Sequence, residues 1–199
     1  MKMRAVLASK NAHKLEELQR ILGEQLPELE LLPYGGEAPV ESGLTFEENA
    51  LIKARAAAAA TGLPALADDS GICVEALGGM PGIFSARWSG PGRSDAENVG
   101  LLLWQLNDVA DEARAAKFVA VAALVLPDGR EATVRGEWPG EILREVRGEG
   151  GFGYDPIFLP EGEGLSAAEM APERKDAQSH RRRAFAAMAP LLQELFASA

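Results

Sequence analysis

Residues 45–74, TFEENALIKARAAAAATGLPALADDSGICV, change character halfway, and that change decides the class of fold. Thr45-x-x-Glu48 is a capping box, in which each side chain satisfies an amide that the first turn of a helix leaves orphaned. Good helix formers run from there through Ala60. Gly62-Leu63-Pro64 then stops the helix, because glycine takes the left-handed cap and proline cannot extend the turn. Ala65 to Ala67 and Ile72 to Val74 read as strand, with Asp68, Asp69, Ser70 and Gly71 between them. A helix feeding straight into a strand that carries two adjacent acids predicts an α/β chain.

The same alternation extends in both directions. Ala5-Val6-Leu7-Ala8 is a short buried strand, and Leu15, Leu18, Ile21 and Leu22 recur at helical spacing until Gly23. A helix is expected from about Asp95 to Leu106. Phe118 to Leu126 and Glu131 to Trp138 flank Pro127-Asp128-Gly129, the pattern of a β-hairpin. After a glycine-rich loop from Gly148 to Gly153, Tyr154 to Leu159 is expected as a strand, with Pro156 where no amide is needed. A last helix starts near Ser179 and runs to the terminus. The chain therefore predicts a mixed sheet in one domain, residues 1–199, with two lobes.

Composition narrows the function classes. At 199 residues, 47% apolar and 25% charged, the chain can bury a substantial core. Its one cysteine, Cys73, forms no intrachain disulfide and no cysteine-rich metal cluster. The two histidines, His13 and His180, make no familiar zinc spacing with it. The apolar run in MKMRAVLAS is too short for a signal peptide, so a soluble, unanchored, cytoplasmic protein is expected. A formal net charge of -10 argues against a nucleic-acid partner, since gripping that backbone draws on an excess of Lys and Arg. Small anions remain possible wherever bases cluster.

Two such clusters stand at helix starts, where the macrodipole favours acids. Lys14, with His13 beside it, lies in the first turn of the first helix. Ser179 reads as an N-cap and is followed at once by His180-Arg181-Arg182-Arg183. Either these side chains simply face solvent, or an anion sits on the free amides and bases together. Ser9-Lys10-Asn11-Ala12-His13-Lys14 adds a hydroxyl and an amide at the carboxyl end of a strand, where open α/β sheets bind ligands. The stretch lacks the glycines of a Walker loop.

Strand side chains alternate between faces, so Asp68 and Asp69 cannot both enter one site. One acts and the other supports, with Ser70-Gly71 expected to form a sharp turn; a plain acidic turn is the alternative. Glu41 stands just before the capped helix. Two carboxylates with open water positions suit magnesium bridging substrate phosphates, and a nearby carboxylate could deprotonate an attacking water. Phe152-Gly153-Tyr154-Asp155 offers an aromatic face and an acid for a nucleobase, or else a core strand.

Five blocks in order carry a family resemblance: SKNAHKLEELQRIL, ESGLTFEENALIKARAAA, ALADDSGICVEALGGMPGIFSARWSG, GGFGYDPIF and AEMAPERKDAQSHRRRA. Nearly end to end, the chain resembles the inosine triphosphate pyrophosphatase family, the dITP/XTP pyrophosphatases that clear deaminated purines from the nucleotide pool. The resemblance implies a mixed, twisted central sheet flanked by helices, two lobes with the active-site cleft between them, and a homodimer. It also implies magnesium-dependent hydrolysis of ITP, dITP or XTP to the monophosphate and pyrophosphate, by water attacking the α-phosphorus. Ser9, Lys10, Asn11, Ala12, His13 and Lys14 would then bind the triphosphate, with Lys53 a further candidate. Asp69 would be proton acceptor and magnesium ligand, and Glu41 a second ligand. Ser70, Phe152, Gly153, Tyr154, Asp155, Lys175, His180 and Arg181 would hold the substrate, chiefly its base.

Four positions depart from the family pattern. Ser9 stands where threonine is commoner, Lys10 where glycine or asparagine is usual, Ser166 in place of an aromatic, and Arg182 in place of a glycine. None removes a catalytic group. Two other readings are a nucleotide sensor without turnover and a pyrophosphatase for modified pyrimidine nucleotides. Asp69, Glu41 and Lys14 speak against the sensor, which needs no water-activating acid.

Overall fold

The computed structural model describes residues 3–9, 12–92 and 94–197, and of residues 12, 13 and 197 the backbone alone. In chain order the elements are β1 (Met3–Leu7), α1 (Ala12–Gly23), β2 (Leu29–Pro33), α2 (Phe46–Thr61), β3 (Ala65–Val74), α3 (Asp95–Gln105), β4 (Ala115–Val125), β5 (Glu131–Ile142), β6 (Phe158–Pro160), α4 (Pro172–Gln178) and α5 (His180–Ala197). The six strands form one sheet in the order β2-β1-β3-β4-β5-β6. β1 runs parallel to β2 and β3, and β5 antiparallel to β6, so the sheet is mixed. No helix among the described residues is long and apolar enough to cross a membrane.

Local chemistry accounts for the best-defined elements. The amide of Glu48 donates to Thr45 Oγ1 at 3.1 Å, and the Glu48 carboxylate reaches back to the amide of Leu44 at 2.6 Å. At the other end of α2, Gly62 takes φ 66° and its amide closes on the carbonyl of Ala58. Phe46, Ala50, Ala54, Ala57 and Ala58 are the apolar residues this helix buries, spaced three or four apart as one face requires. In the hairpin, the Leu126 amide donates to the Arg130 carbonyl at 2.8 Å across the Pro127-Asp128-Gly129 turn. β4 is buried without a break from Phe118 to Val125, as a central strand covered on both faces should be.

The chain divides into two compact units. Unit 1 comprises Met1–Asp69, Ala120–Gly136 and Arg181–Ala199, around a core that includes Leu7, Leu18, Leu22, Leu66, Leu124 and Phe185. Unit 2 comprises Ser70–Val119 and Glu137–His180. Its core is aromatic: the Phe158 ring meets Phe118 at 4.6 Å and Trp138 at 5.4 Å, edge to face in both cases. Buried Arg114 ties this unit together by donating to the carbonyls of Leu106, Ile142 and Leu143.

Two expectations are corrected. Ser70-Gly71 is not a turn: β3 runs unbroken from Ala65 to Val74. Gly71 is needed there because a Cβ would overlap the Gly82 carbonyl and Ser85 Oγ. That same hydroxyl accepts from the Ile72 amide at 2.9 Å and donates to the Gly82 carbonyl at 2.6 Å. The glycine- and proline-rich loop is thereby stitched onto the strand. Tyr154 to Leu159 is likewise not one strand. Asp155–Ile157 is a 3₁₀ turn with proline in its first positions, where its missing amide costs nothing, and only Phe158–Pro160 pairs as β6. The pattern reading also passed over β2 and α4.

Candidate functional site

In unit 1, β3 delivers its two acids to different partners. Asp68, 3% exposed, forms an ion pair with Lys14 and accepts from Arg181 Nε at 3.4 Å. Arg181 reaches on to Glu17 at 3.1 Å. Asp69 accepts from Lys53 Nζ at 2.8 Å, and the same ammonium lies 3.1 Å from Glu41. The bases that look misplaced at two helix starts are thus answered inside the chain: Lys14 and Arg181 share Asp68, and Arg182 donates to Glu24 at 2.9 Å. Burying ions is tolerable only with such partners.

The two environments push the two carboxyls apart. Burial alone would raise Asp68, but Lys14 and Arg181 outweigh it and hold its carboxyl well below the usual range. Burial raises Asp69, and Glu41 and Asp68 add to that against the pull of Lys53. Asp69 is therefore the more basic of the pair. Burial also pulls Lys14 down, helped by Arg181 and Lys53, whereas Lys53 is held above its ordinary value because its carboxylates outweigh burial. A pocket of about 300 Å³ opens beside Asp68, lined also by Ser9, Lys14, Tyr34, Glu41 and Lys53 among others; Asp69 is not in its wall.

Magnesium asks for carboxylate oxygens that converge on one point and leave room for phosphate and water. Asp69 and Glu41 already converge on one cation, the Lys53 ammonium, so their oxygens can address a single positive centre. Among the described residues no three His, Cys, Asp or Glu side chains could hold an ion together. Two carboxylates, with phosphate and water completing the shell, are what magnesium accepts and fit it here.

In unit 2 the glycine-rich loop is organised by Asp155. Its Oδ2 accepts from the Phe152 amide at 2.8 Å and pairs with Lys175, while only 3% of the residue is exposed. Gly151, at φ 71°, leaves the room that a Cβ would take from this carboxylate. The Gly153 amide donates to Asp95 at 2.8 Å. Phe152 is 63% exposed, with Lys175 Nζ 4.7 Å from its ring centre. The Tyr154 phenol is buried, pushed upward in pKa by that burial, and donates to the Ser85 carbonyl at 2.8 Å. His180 stacks on Phe118, ring centres 5.0 Å apart and planes within 13°.

Of the residues singled out from sequence, unit 1 gathers Ser9, Lys14, Glu41, Lys53, Asp69 and Arg181, and unit 2 holds Ser70, Phe152, Gly153, Tyr154, Asp155, Lys175 and His180. Arg181, expected with His180 to hold the substrate, pairs with Asp68 and Glu17. Lys10 and Asn11 lie outside the described residues, as do the side chains of Ala12 and His13. Ser166 is fully buried and caps a turn, donating to the Arg147 carbonyl at 2.6 Å and accepting from the Glu169 amide at 3.2 Å. Sequence reasoning missed Glu17 and Tyr34. Glu17 is three residues from Lys14 on the same helix, a spacing that could have flagged it.

A model of the Ham1 family matches residues 5–191. The dITP/XTP pyrophosphatase of Leifsonia xyli is 58% identical over 193 residues, 97% of each chain. That of Nocardia farcinica is 57% identical over 198 residues, 96% of each. Among solved structures, a HAM1 protein from Coxiella burnetii superposes with a TM-score of 0.89 at 43% identity, over 96% of this chain and 99% of that one. A nucleoside-triphosphatase, dITP/XTP pyrophosphatase, from Mycobacterium abscessus superposes with a TM-score of 0.80 at 51% identity, over 96% and 100%.

Proposed function

The chain belongs to the Ham1 family, and on that premise we propose that it hydrolyses the deaminated purine nucleotides ITP, dITP and XTP to the monophosphate and pyrophosphate. The observation that carries the mechanism is the divergence of neighbouring carboxyls. Asp68 is locked as an anion between Lys14 and Arg181, whereas Asp69, beside Glu41 and Lys53, has a raised affinity for protons. A carboxylate so tuned is suited to take a proton from water.

Asp69 then acts as general base as the water oxygen bonds to the α-phosphorus and the bridging oxygen departs with pyrophosphate. Lys14, Lys53 and Ser9 bind the phosphates, and the two ammonium groups offset the charge that grows on the leaving group. Glu41 and Asp69 are the residues that would hold magnesium, which when bound neutralises phosphate charge and lowers the pKa of water.

Apart from Arg181, the residues that the family resemblance gives to the base lie in unit 2. Exposed Phe152 provides a stacking face, Lys175 and His180 provide donors for the 6-oxygen, and Asp155 holds Phe152 and Lys175 in place. An amino group at that position, as in ATP, would leave these donors unmatched, a mismatch that can reject an analogue by roughly 10⁴-fold. The proposal extends to a cytoplasmic homodimer, for which the family resemblance is the support. Hydrolysis of ITP in ¹⁸O-water tests the mechanism. Label in the inosine monophosphate supports attack at the α-phosphorus, and label in pyrophosphate or orthophosphate refutes it.

A further inference from the structure

Tyr34 is the one pocket-lining aromatic that no motif marked. Its position follows from the sheet: β2 pairs with β1 in parallel, with Pro33 opposite Leu7. Tyr34 therefore leaves β2 at the same level at which Ala8 and Ser9 leave β1, at the carboxyl ends of parallel strands. All three line the 300 Å³ pocket with Lys14 and Lys53.

Two further observations concern the phenol itself. Tyr34 is half-buried, and its hydroxyl makes no hydrogen bond among the described residues. Gly36 stands directly against the ring: a Cβ there would overlap Tyr34 Oη and Cζ, although the backbone at Gly36 has no left-handed angle that would itself demand glycine. The missing side chain thus leaves space for the phenol. Glu41 and Asp68 in the pocket wall already hold Lys53 and Lys14. Beside the ammonium groups of Lys14 and Lys53, the pocket therefore presents the phenol of Tyr34 to a ligand.

We propose that Tyr34 is a further substrate-binding residue, donating its phenol proton to a phosphate oxygen of the triphosphate held by Ser9, Lys14 and Lys53, and that Gly36 gives the ring room to do so. The inference rests on the reading of this pocket as the triphosphate site. A neutral donor to a charged oxygen adds binding without altering the reacting atoms, so its loss falls on affinity.

The test measures binding of inorganic tripolyphosphate with magnesium by titration calorimetry, together with hydrolysis of ITP, in the wild type, Tyr34→Phe and Gly36→Ala. Tyr34→Phe should weaken tripolyphosphate binding about tenfold and raise KM for ITP by a similar factor, with kcat nearly unchanged, the scale of one hydrogen bond to a charged group. Gly36→Ala, which displaces the ring while keeping the hydroxyl, should move both in the same direction, with the melting temperature retained. Unchanged tripolyphosphate affinity in Tyr34→Phe overturns the proposal, even if KM for ITP rises, since the hydroxyl would then address the nucleoside. A wild-type protein that hydrolyses ITP but does not bind tripolyphosphate overturns the pocket assignment. One that does not hydrolyse ITP at all refutes the activity itself.

Discussion

Replacing Asp68 by asparagine isolates the role assigned to the supporting carboxyl. Its side chain is 2% exposed and faces two cations, Lys14 and Arg181, whose side chains are 19% and 11% exposed. Asparagine keeps the volume and removes the charge, leaving both cations without their shared counterion, although Arg181 retains Glu17. Breaking a buried pair in this way costs about 3–5 kcal/mol. For a chain of this size that lowers the melting temperature by about 6–20 °C. The pH dependence gives a second readout. The folded carboxyl lies below its unfolded value, so it contributes stability above the unfolded pKa that is lost as pH falls through the folded one. Urea unfolding from pH 7 down to about pH 3 should therefore show an acid-side loss in the wild type that is shallower in Asp68→Asn. A variant within about 1 kcal/mol of wild type at pH 7, with the same acid limb, would refute the account of Asp68 as an anion clamped by two cations.

Other outcomes follow from the same geometry. Asp69→Asn should lower kcat at least ~10²-fold with the melting temperature retained, the scale of a lost general base; near-normal turnover would move that role to Asp68. Because Asp69 must be ionised to act and its pKa is raised, kcat/KM should fall on acidification at a higher pH than an ordinary aspartate gives, as a pH–rate profile would show. Phe152→Ala should raise KM for ITP by about 5–150-fold through lost base stacking, with no change in tripolyphosphate affinity.

What could be read along the chain was what local chemistry decides. The capping box at Thr45, the Gly62 stop and the Pro127-Asp128-Gly129 hairpin each depend on atoms a few residues apart, and each is present. Ser70-Gly71 misled because serine and glycine favour turns locally, whereas Ser85 and the Gly82 carbonyl, brought in by the following loop, hold the strand straight. The cations of α1 and α5 looked out of place for a similar reason. Arg181 and Asp68 are 113 positions apart, and Arg182 and Glu24 are 158 apart, so nothing near the start of α5 announced either partner. For Asp68 and Asp69, strand alternation predicted different surroundings, and the structure gives them different partners, Lys14 and Arg181 for the first and Lys53 for the second.

Donors aimed at a 6-oxygen make the choice of substrate as telling as the reaction. Pyrophosphate release in magnesium should be followed in parallel from ITP, XTP, dITP, ATP, GTP and dTTP. Rapid release from the first three, with ATP slower by orders of magnitude, is the predicted result. Equal release from ATP, or none from any of the six, would contradict it.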